Sequence, residues 1–332
     1  MEQVLKKRFE TLRLGEPWVR ENLTLIPIMA EQGSGPRYYE MLDEALQGGR
    51  LEARETSEGG SVNQIKVINK GDKPVLILDG EELVGAKQNR LVNATLLIAA
   101  QVELVIPVSC VERGRWHHTS AAFSSSEVFG YSRLRGQKAA GVTANLRMYE
   151  VFASDQRAVW EEIDRKQAAM GSHSATAAMH DMFVDYEAEM EKYTAGVETL
   201  PGQVGVMVFV NGSFNCLDIL GHSDALSRLW SKLIKSYAME ALEVRGDKPS
   251  YKAPQPEQVW QQLCQARPVF YKSPGLGTDF RIQTDSYIGA GLIDSEQVLH
   301  FSAFPVMNDT NAVEGRIARP SRRRRNQGYY LD

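Results

Sequence analysis

Between Pro74 and His118 three short apolar segments, Val75–Leu78, Leu91–Ile98 and Val102–Val111, alternate with loops that carry more charge than turns require. Val-, Ile- and Leu-rich runs bounded by glycine and polar residues read as strands of a buried sheet. The first loop holds Asp79, Glu81 and Glu82, and the second holds Lys87, Gln88, Asn89 and Arg90. The third segment runs out into Glu112-Arg113-Gly114-Arg115-Trp116-His117-His118. A chain that buries these segments side by side must hold their polar loops along one margin of the sheet. Functional groups concentrate on loops fixed by a rigid scaffold, so the candidate site is placed here.

The surrounding sequence extends the strand pattern. Leu51–Thr56 and Val62–Asn69 alternate in polarity, and the turns Ser57–Gly60 and Lys70–Lys73 set them off. Leu23–Met29 reads as a strand, and Tyr38, Met41, Leu42 and Leu46 mark a short helix stopped by Gly48-Gly49. The segments from Leu51 to Val111 are expected to form consecutive strands of one mostly antiparallel sheet. Arg113–Ala153 is rich in Ser, Gly and Arg with little periodicity, and reads as a long surface excursion or a lid. Helical periodicity returns in Ala158–Met170 and in a stripe of Met179, Met182, Phe183, Tyr186, Met190 and Tyr193, read as one core-facing helix. Asn211-Gly212 between two apolar runs predicts a hairpin. Helices over Leu226–Tyr237 and from Pro256 onward precede four more strands, ending at Phe304. Without alternating strand–helix units, this order implies an α+β fold. Its β-rich core is expected to be a mostly antiparallel sandwich or roll, with helical segments inserted between two strand clusters. The expected organisation is a single domain over residues 1–305, strand-rich over 20–112 and helical and mixed over 154–305, followed by an arginine-rich tail over 306–332.

Several function classes are disfavoured by composition. A formal net charge of −4 gives no general attraction to nucleic acid or anionic membranes. The exception is Arg322–Arg325 with Tyr329 and Tyr330, which suit phosphate and base contacts and leave a nucleic-acid-associated role as a minor alternative. No apolar run reaches the ~18 residues of a membrane span. Cys110, Cys216 and Cys264 are odd in number and widely spaced, so neither a disulfide framework nor a CxxC site is expected. A cytoplasmic location fits these features.

The polar loops suggest chemistry. Glu81 and Glu112 are the candidate catalytic carboxylates, suited to acid–base work or to holding a divalent cation. Lys87, Arg90 and Arg115 suit an anionic ligand, with Gln88 and Asn89 supplying amide contacts. If the three strands form a meander, Glu81, Gln88, Asn89, Arg90, Glu112 and Arg115 gather at one edge in one polar pocket. Cys110 reads as a buried thiol. His117 and His118 point apart on an extended chain, so at most one enters a given site. Leu78-Asp79-Gly80-Glu81 looks like the nucleotidyl-transfer motif of nucleic-acid ligases, but Ile77 stands where their lysine nucleophile would be.

The run DGEELVGAKQNR at Asp79–Arg90 and the run IPVSCVERGRW at Ile106–Trp116 resemble a known family. It is the type-one form of the family named for its genomic association with ADP-ribosylglycohydrolases and rhodanese-phosphatases, and the similarity extends to about Phe304. The resemblance implies a link to NAD and ADP-ribose metabolism through gene neighbours. It also implies an anionic, nucleotide-like ligand, with Lys87, Arg90 and Arg115 for phosphate and Gln88 and Asn89 for base or ribose hydroxyls. The expected function is therefore an enzyme that processes an ADP-ribose-like or other phosphorylated small molecule, with hydrolysis the reaction considered. The alternative is a non-catalytic sensor of such a ligand.

Overall fold

The first strand cluster rolls up on itself. In the computed structural model, which describes residues 1–31, 36–247 and 254–307, six strands close into an antiparallel barrel. In spatial order they are Val102–Cys110, Gln64–Asn69, Leu51–Arg54, Phe123–Phe129, Glu81–Gly85 and Arg90–Val92, and the last pairs with the first. Alternation sends Leu51, Ala53, Ile65, Val67, Leu83, Val92, Ile106 and Val108 into its interior core. Leu42 and Ala45 of the helix Leu42–Gln47 pack into the same core. The arginine-rich tail lies outside the described residues.

The sequence pattern predicts one sheet over Leu51–Val111, and the chain divides it. Leu91–Ile98 breaks at Asn93–Thr95, where side chains compete for the backbone. The Asn93 backbone N–H donates to the Pro107 carbonyl at 3.1 Å, while its side-chain Oδ1 accepts the Ser109 hydroxyl at 2.6 Å. The Thr95 hydroxyl accepts the Asp79 N–H at 3.1 Å and lies 2.7 Å from His300 Nδ1. Arg90–Val92 therefore stays in the barrel, while Leu96–Ile98 leaves it. The latter joins Val75–Ile77 and, in parallel pairing, Glu40–Met41 in a separate three-stranded sheet.

The second cluster forms a nine-stranded antiparallel sheet together with Leu12–Leu14, Trp18–Arg20 and Leu23–Ala30 from the start of the chain. Its hairpin turns at Asn211-Gly212, both left-handed (φ 48° and 75°), as a two-residue primed turn requires. One face of this sheet buries Leu5, Val259 and Leu263 of the helices Glu2–Glu10 and Pro256–Gln265. The other packs on the helices Ser132–Tyr149 and Ser223–Glu243, whose core continues to Leu91, Val111 and Phe129 of the barrel side. The whole is α+β with a β-rich core, and no helix among the described residues is long and apolar enough to cross a membrane.

Two further expectations change. Arg113–Ala153 is not an irregular excursion: it contains the barrel strand Phe123–Phe129 and the 18-residue helix Ser132–Tyr149. That helix escapes periodicity because its buried face includes Ser132, Arg135, Lys138, Thr143 and Asn145 among the apolar residues. The Met/aromatic stripe is core, as read, but spans two helices, Met179–Asp185 and Glu187–Thr194, divided at Tyr186.

Candidate functional site

The turn over residues 86–89 joins the barrel strands Glu81–Gly85 and Arg90–Val92, and Gln88, Asn89, Arg90, Glu112 and Arg115 meet around it. Arg90 pairs in register with Leu83 and with Cys110, so its side chain shares their face. It is fully buried, and burial lowers its pKa. Its guanidinium donates to Gln88 Oε1 at 2.9 Å and to the Ser61 carbonyl at 3.1 Å, and lies 3.7 Å from Glu55. Gln88 Oε1 also accepts the Cys110 thiol, and Gln88 Nε2 donates to the Glu112 carbonyl. Burial pushes the Cys110 thiol up, which suits the expected inert role.

Glu112 and Arg115 form a second knot beside the first. Arg115 grips the carboxylate with Nε at 2.8 Å and Nη2 at 2.6 Å. The remaining Arg115 hydrogens reach the carbonyls of Ala86, Gly85 and His117, the Thr119 hydroxyl and Asn89 Oδ1. Asn89 N–H and the Thr176 hydroxyl complete the shell of Glu112 at 3.1 and 3.0 Å. Burial opposes ionisation of Glu112, but the bonds from Arg115 outweigh it and hold its pKa below the usual value. Gln88, Asn89, Arg90, Glu112 and Arg115 are thus brought together, with their polar groups largely committed to one another.

Lys87 lies at the rim, donating to the Glu58 carbonyl, with its ammonium 5.4 Å from the Trp116 ring centroid. Trp116 is 43% exposed and also has the Arg90 guanidinium 5.7 Å from its centroid.

Glu81 stands apart from this gathering, contrary to the single-pocket expectation. It is fully buried, bonded to the Leu78 N–H at 2.7 Å, and influenced by Lys232 and Asp43 instead of Glu112. The Gly80 turn (φ 96°) before it packs so closely on Arg135 that a Cβ would lie 2.4 Å from Arg135 Cδ. Burial raises the Glu81 pKa to about 8. A carboxyl raised from 4.5 in this way favours folding fully only below 4.5, and that contribution declines as pH rises toward 8. Glu81→Gln is expected to keep the Leu78 bond and to flatten the loss of stability, on the order of 1 kcal/mol per pH unit across that window. Urea unfolding at pH 5 and pH 8 measures this; an unchanged pH dependence would refute it.

The neighbouring Glu82 makes the arrangement that sequence reasoning missed. Glu82 Oε2 lies 3.0 Å from His180 Nδ1 and accepts the Ser126 hydroxyl at 2.6 Å, while Ser126 Oγ is 3.3 Å from the same ring nitrogen. Glu82 Oε1 is buried with no hydrogen-bond partner. His180 is on the helix Met179–Asp185, and its side chain remains 31% exposed. The hydrogen bond to Glu82 raises its pKa, aided by the charges of Asp181 and Glu112 and opposed by partial burial. A carboxylate on Nδ1 fixes the tautomer and orientation of a histidine ring and leaves Nε2 as the nitrogen that can exchange a proton. Among the described residues, no group of three or more His, Cys, Asp or Glu side chains is placed to hold a metal ion.

Residues 11–304 match the family described as the ARG and Rhodanese-Phosphatase-superfamily-associated Protein domain, ARPP-1. The chain belongs to the ARPP-1 family. Both motif runs lie within the matched region, and so do Ser126 and His180. No curated protein matches the chain, and no solved structure matches it. The name ARPP-1 carries an association with ADP-ribosylglycohydrolases and rhodanese-phosphatases.

Proposed function

We propose that this ARPP-1 protein is a hydrolase acting on an ADP-ribose-like or other phosphorylated small molecule, with His180 as its proton-transfer group. The observation that carries the reading is the Glu82–His180 contact of 3.0 Å, beside an orphaned, buried Glu82 Oε1. In this reading Glu82 holds the Nδ1 proton, Nε2 takes a proton from the attacking water, and the imidazolium returns it to the leaving oxygen. Ser126 fixes the carboxylate by donating to it. Lys87 and the exposed face of Trp116 supply charge and a stacking surface at the ligand's other end. Glu81, wholly buried and bonded to the Leu78 N–H, takes no direct part in this reading. The family association favours a nucleotide-like ligand over other anions.

The exposed Trp116 beside the Lys87 ammonium favours a second reading, a sensor that binds such a ligand without turnover. The two separate by incubating the purified protein with ADP-ribose, NAD and ADP and following product release chromatographically, alongside thermal-shift measurements on the same ligands. Turnover is expected with at least one. A ligand-induced rise in melting temperature without product would replace the hydrolase by the sensor.

A further inference from the structure

The Glu112–Arg115 knot lies in the second motif run, yet its geometry leaves little of it available to a ligand. Both carboxylate oxygens of Glu112 have two protein partners each, and Arg115 is 7% exposed. Burying an ion pair this thoroughly is a poor source of net stability, and such pairs are better understood by what they hold in register. What this one holds is the segment leading into His180.

Thr176 donates its hydroxyl to Glu112 Oε1 at 3.0 Å and its carbonyl accepts the Gly114 N–H at 2.7 Å. Ala178 forms an isolated antiparallel bridge with Glu112 itself, and Met179 donates its N–H to the Val111 carbonyl at 2.9 Å. Gly114 allows the approach, because a Cβ there would meet the Thr176 backbone at 2.8 to 3.1 Å. Residues 176–179 are therefore stitched to residues 111–114 in a fixed register, and His180 is the next residue. Glu82 pairs in register with Leu91, and the Gln88–Arg90 end of that strand is tied to Glu112 and Arg115 by Gln88 and Asn89. One carboxylate thus connects the strand pair that carries Glu82 with the segment that carries His180.

We propose that Glu112, with Arg115, Gly114 and Thr176, is a positioning device that seats His180 on Glu82, and is not itself a ligand or catalytic site. This rests on the reading of His180 as the proton-transfer group. The physical reason is one of reach. The Glu82–His180 bond joins residues 98 apart in sequence, and the helix Met179–Asp185 is only seven residues long. A shift of one residue along the 176–179 seam would carry the His180 ring off Glu82, since His180 lies in the first turn of the helix Met179–Asp185, where successive side chains are rotated by about 100°. Arg115 holds the Glu112 carboxylate ionised, and the carboxylate holds the Thr176 hydroxyl, which fixes that seam.

The cleanest variant is Thr176→Val, which removes one hydroxyl and leaves every charge that acts on His180, from Glu82, Asp181 and Glu112, in place. The readout is the imidazole titration of His180 by NMR, assigned by the signal lost in His180→Ala, measured with and without Glu82→Gln. In the intact protein Glu82→Gln is expected to lower the His180 titration midpoint. In the Thr176→Val background that downward shift is expected to shrink by about half or more, because a double-mutant cycle reports coupling only while the two groups touch. Thr176→Ser, which keeps the hydroxyl, is expected to restore the full shift. Gly114→Ala provides a second route to the same uncoupling should Thr176→Val fail to fold. An undiminished Glu82→Gln shift in either folded variant would overturn the positioning role and leave the knot a structural tie. Absence of turnover in the intact protein would instead overturn the hydrolase reading, and the titration does not depend on it.

Discussion

Asp218→Ala is expected to destabilise the protein by about 3–5 kcal/mol, the cost of leaving a buried charge without its partner. Asp218 lies on the strand Ser213–Leu220 and receives both terminal nitrogens of Arg135, at 2.7 and 2.8 Å, with the Tyr237 hydroxyl at 2.7 Å. All three residues are almost wholly removed from solvent. Burial opposes ionisation of Asp218, but the Arg135 guanidinium outweighs it and holds the carboxyl well below the usual carboxylate range. The sign follows from that depression: the pair contributes fully above the ordinary carboxylate pKa and is lost as pH falls below it. Removing the carboxylate strands a guanidinium between the Phe129 and Phe304 rings, each 5.0 Å from its centre. Arg135→Met combined with Asp218→Leu is expected to recover much of the loss, since replacing a whole buried pair by apolar groups is far milder than breaking it. Urea denaturation of the single and double variants tests both statements. A single variant within about 0.5 kcal/mol of the intact protein, the range typical of surface substitutions, would show that water reaches the site.

The same helix explains what the sequence concealed. Ser132–Tyr149 sends Arg135 to Asp218 and Lys138 to Asp79, so its buried face is partly ionic and no apolar stripe marks it. Where burial is apolar the pattern is readable. The Asn211-Gly212 hairpin, the strand Leu23–Ala30 and the helix Ser223–Glu243 form where periodicity and turn chemistry place them. The break at Asn93–Thr95 is harder to see, because it depends on Ser109, Pro107 and His300, which are distant in sequence. Barrel closure has the same origin: Phe123–Phe129 must bridge Leu51–Arg54 and Glu81–Gly85, and local alternation says nothing of which strands meet.

The polar residues divide along the same line. Gln88, Asn89, Arg90, Glu112 and Arg115 meet because strand pairing across Arg90–Val92 and Val102–Cys110 brings their loops level, a consequence of short-range geometry. Glu81 and Glu82 are neighbours in sequence, but they face Lys232 and His180 respectively, on helices 98 or more positions away. Only the tertiary fold distinguishes their environments. The ionisable groups were legible as a cluster, but their division into a committed knot and a part-exposed imidazole was not.

That division sets the expectation for chemistry. On the hydrolase reading, His180→Ala is expected to reduce turnover by about 10²–10⁴-fold, the usual contribution of a positioned acid or base. Thermal stability should change little, because the ring is part-exposed and its one strong contact is with Glu82. The pH profile provides the sharper test. Glu82, Asp181 and Glu112 all raise the His180 pKa, so the neutral base form accumulates only above the ordinary histidine value of 6.5. The acidic limb of turnover is then expected above pH 6.5 in the intact protein, rising as the imidazolium loses its proton. Glu82→Gln removes the largest of the three influences, so the limb moves to lower pH while the maximal rate falls, because the ring loses its anchor as well as its partner. An acid catalyst would show the opposite sign, with activity falling through the same pH range. A Glu82→Gln enzyme with an unmoved limb would assign the titration to another group and remove His180 from the reaction.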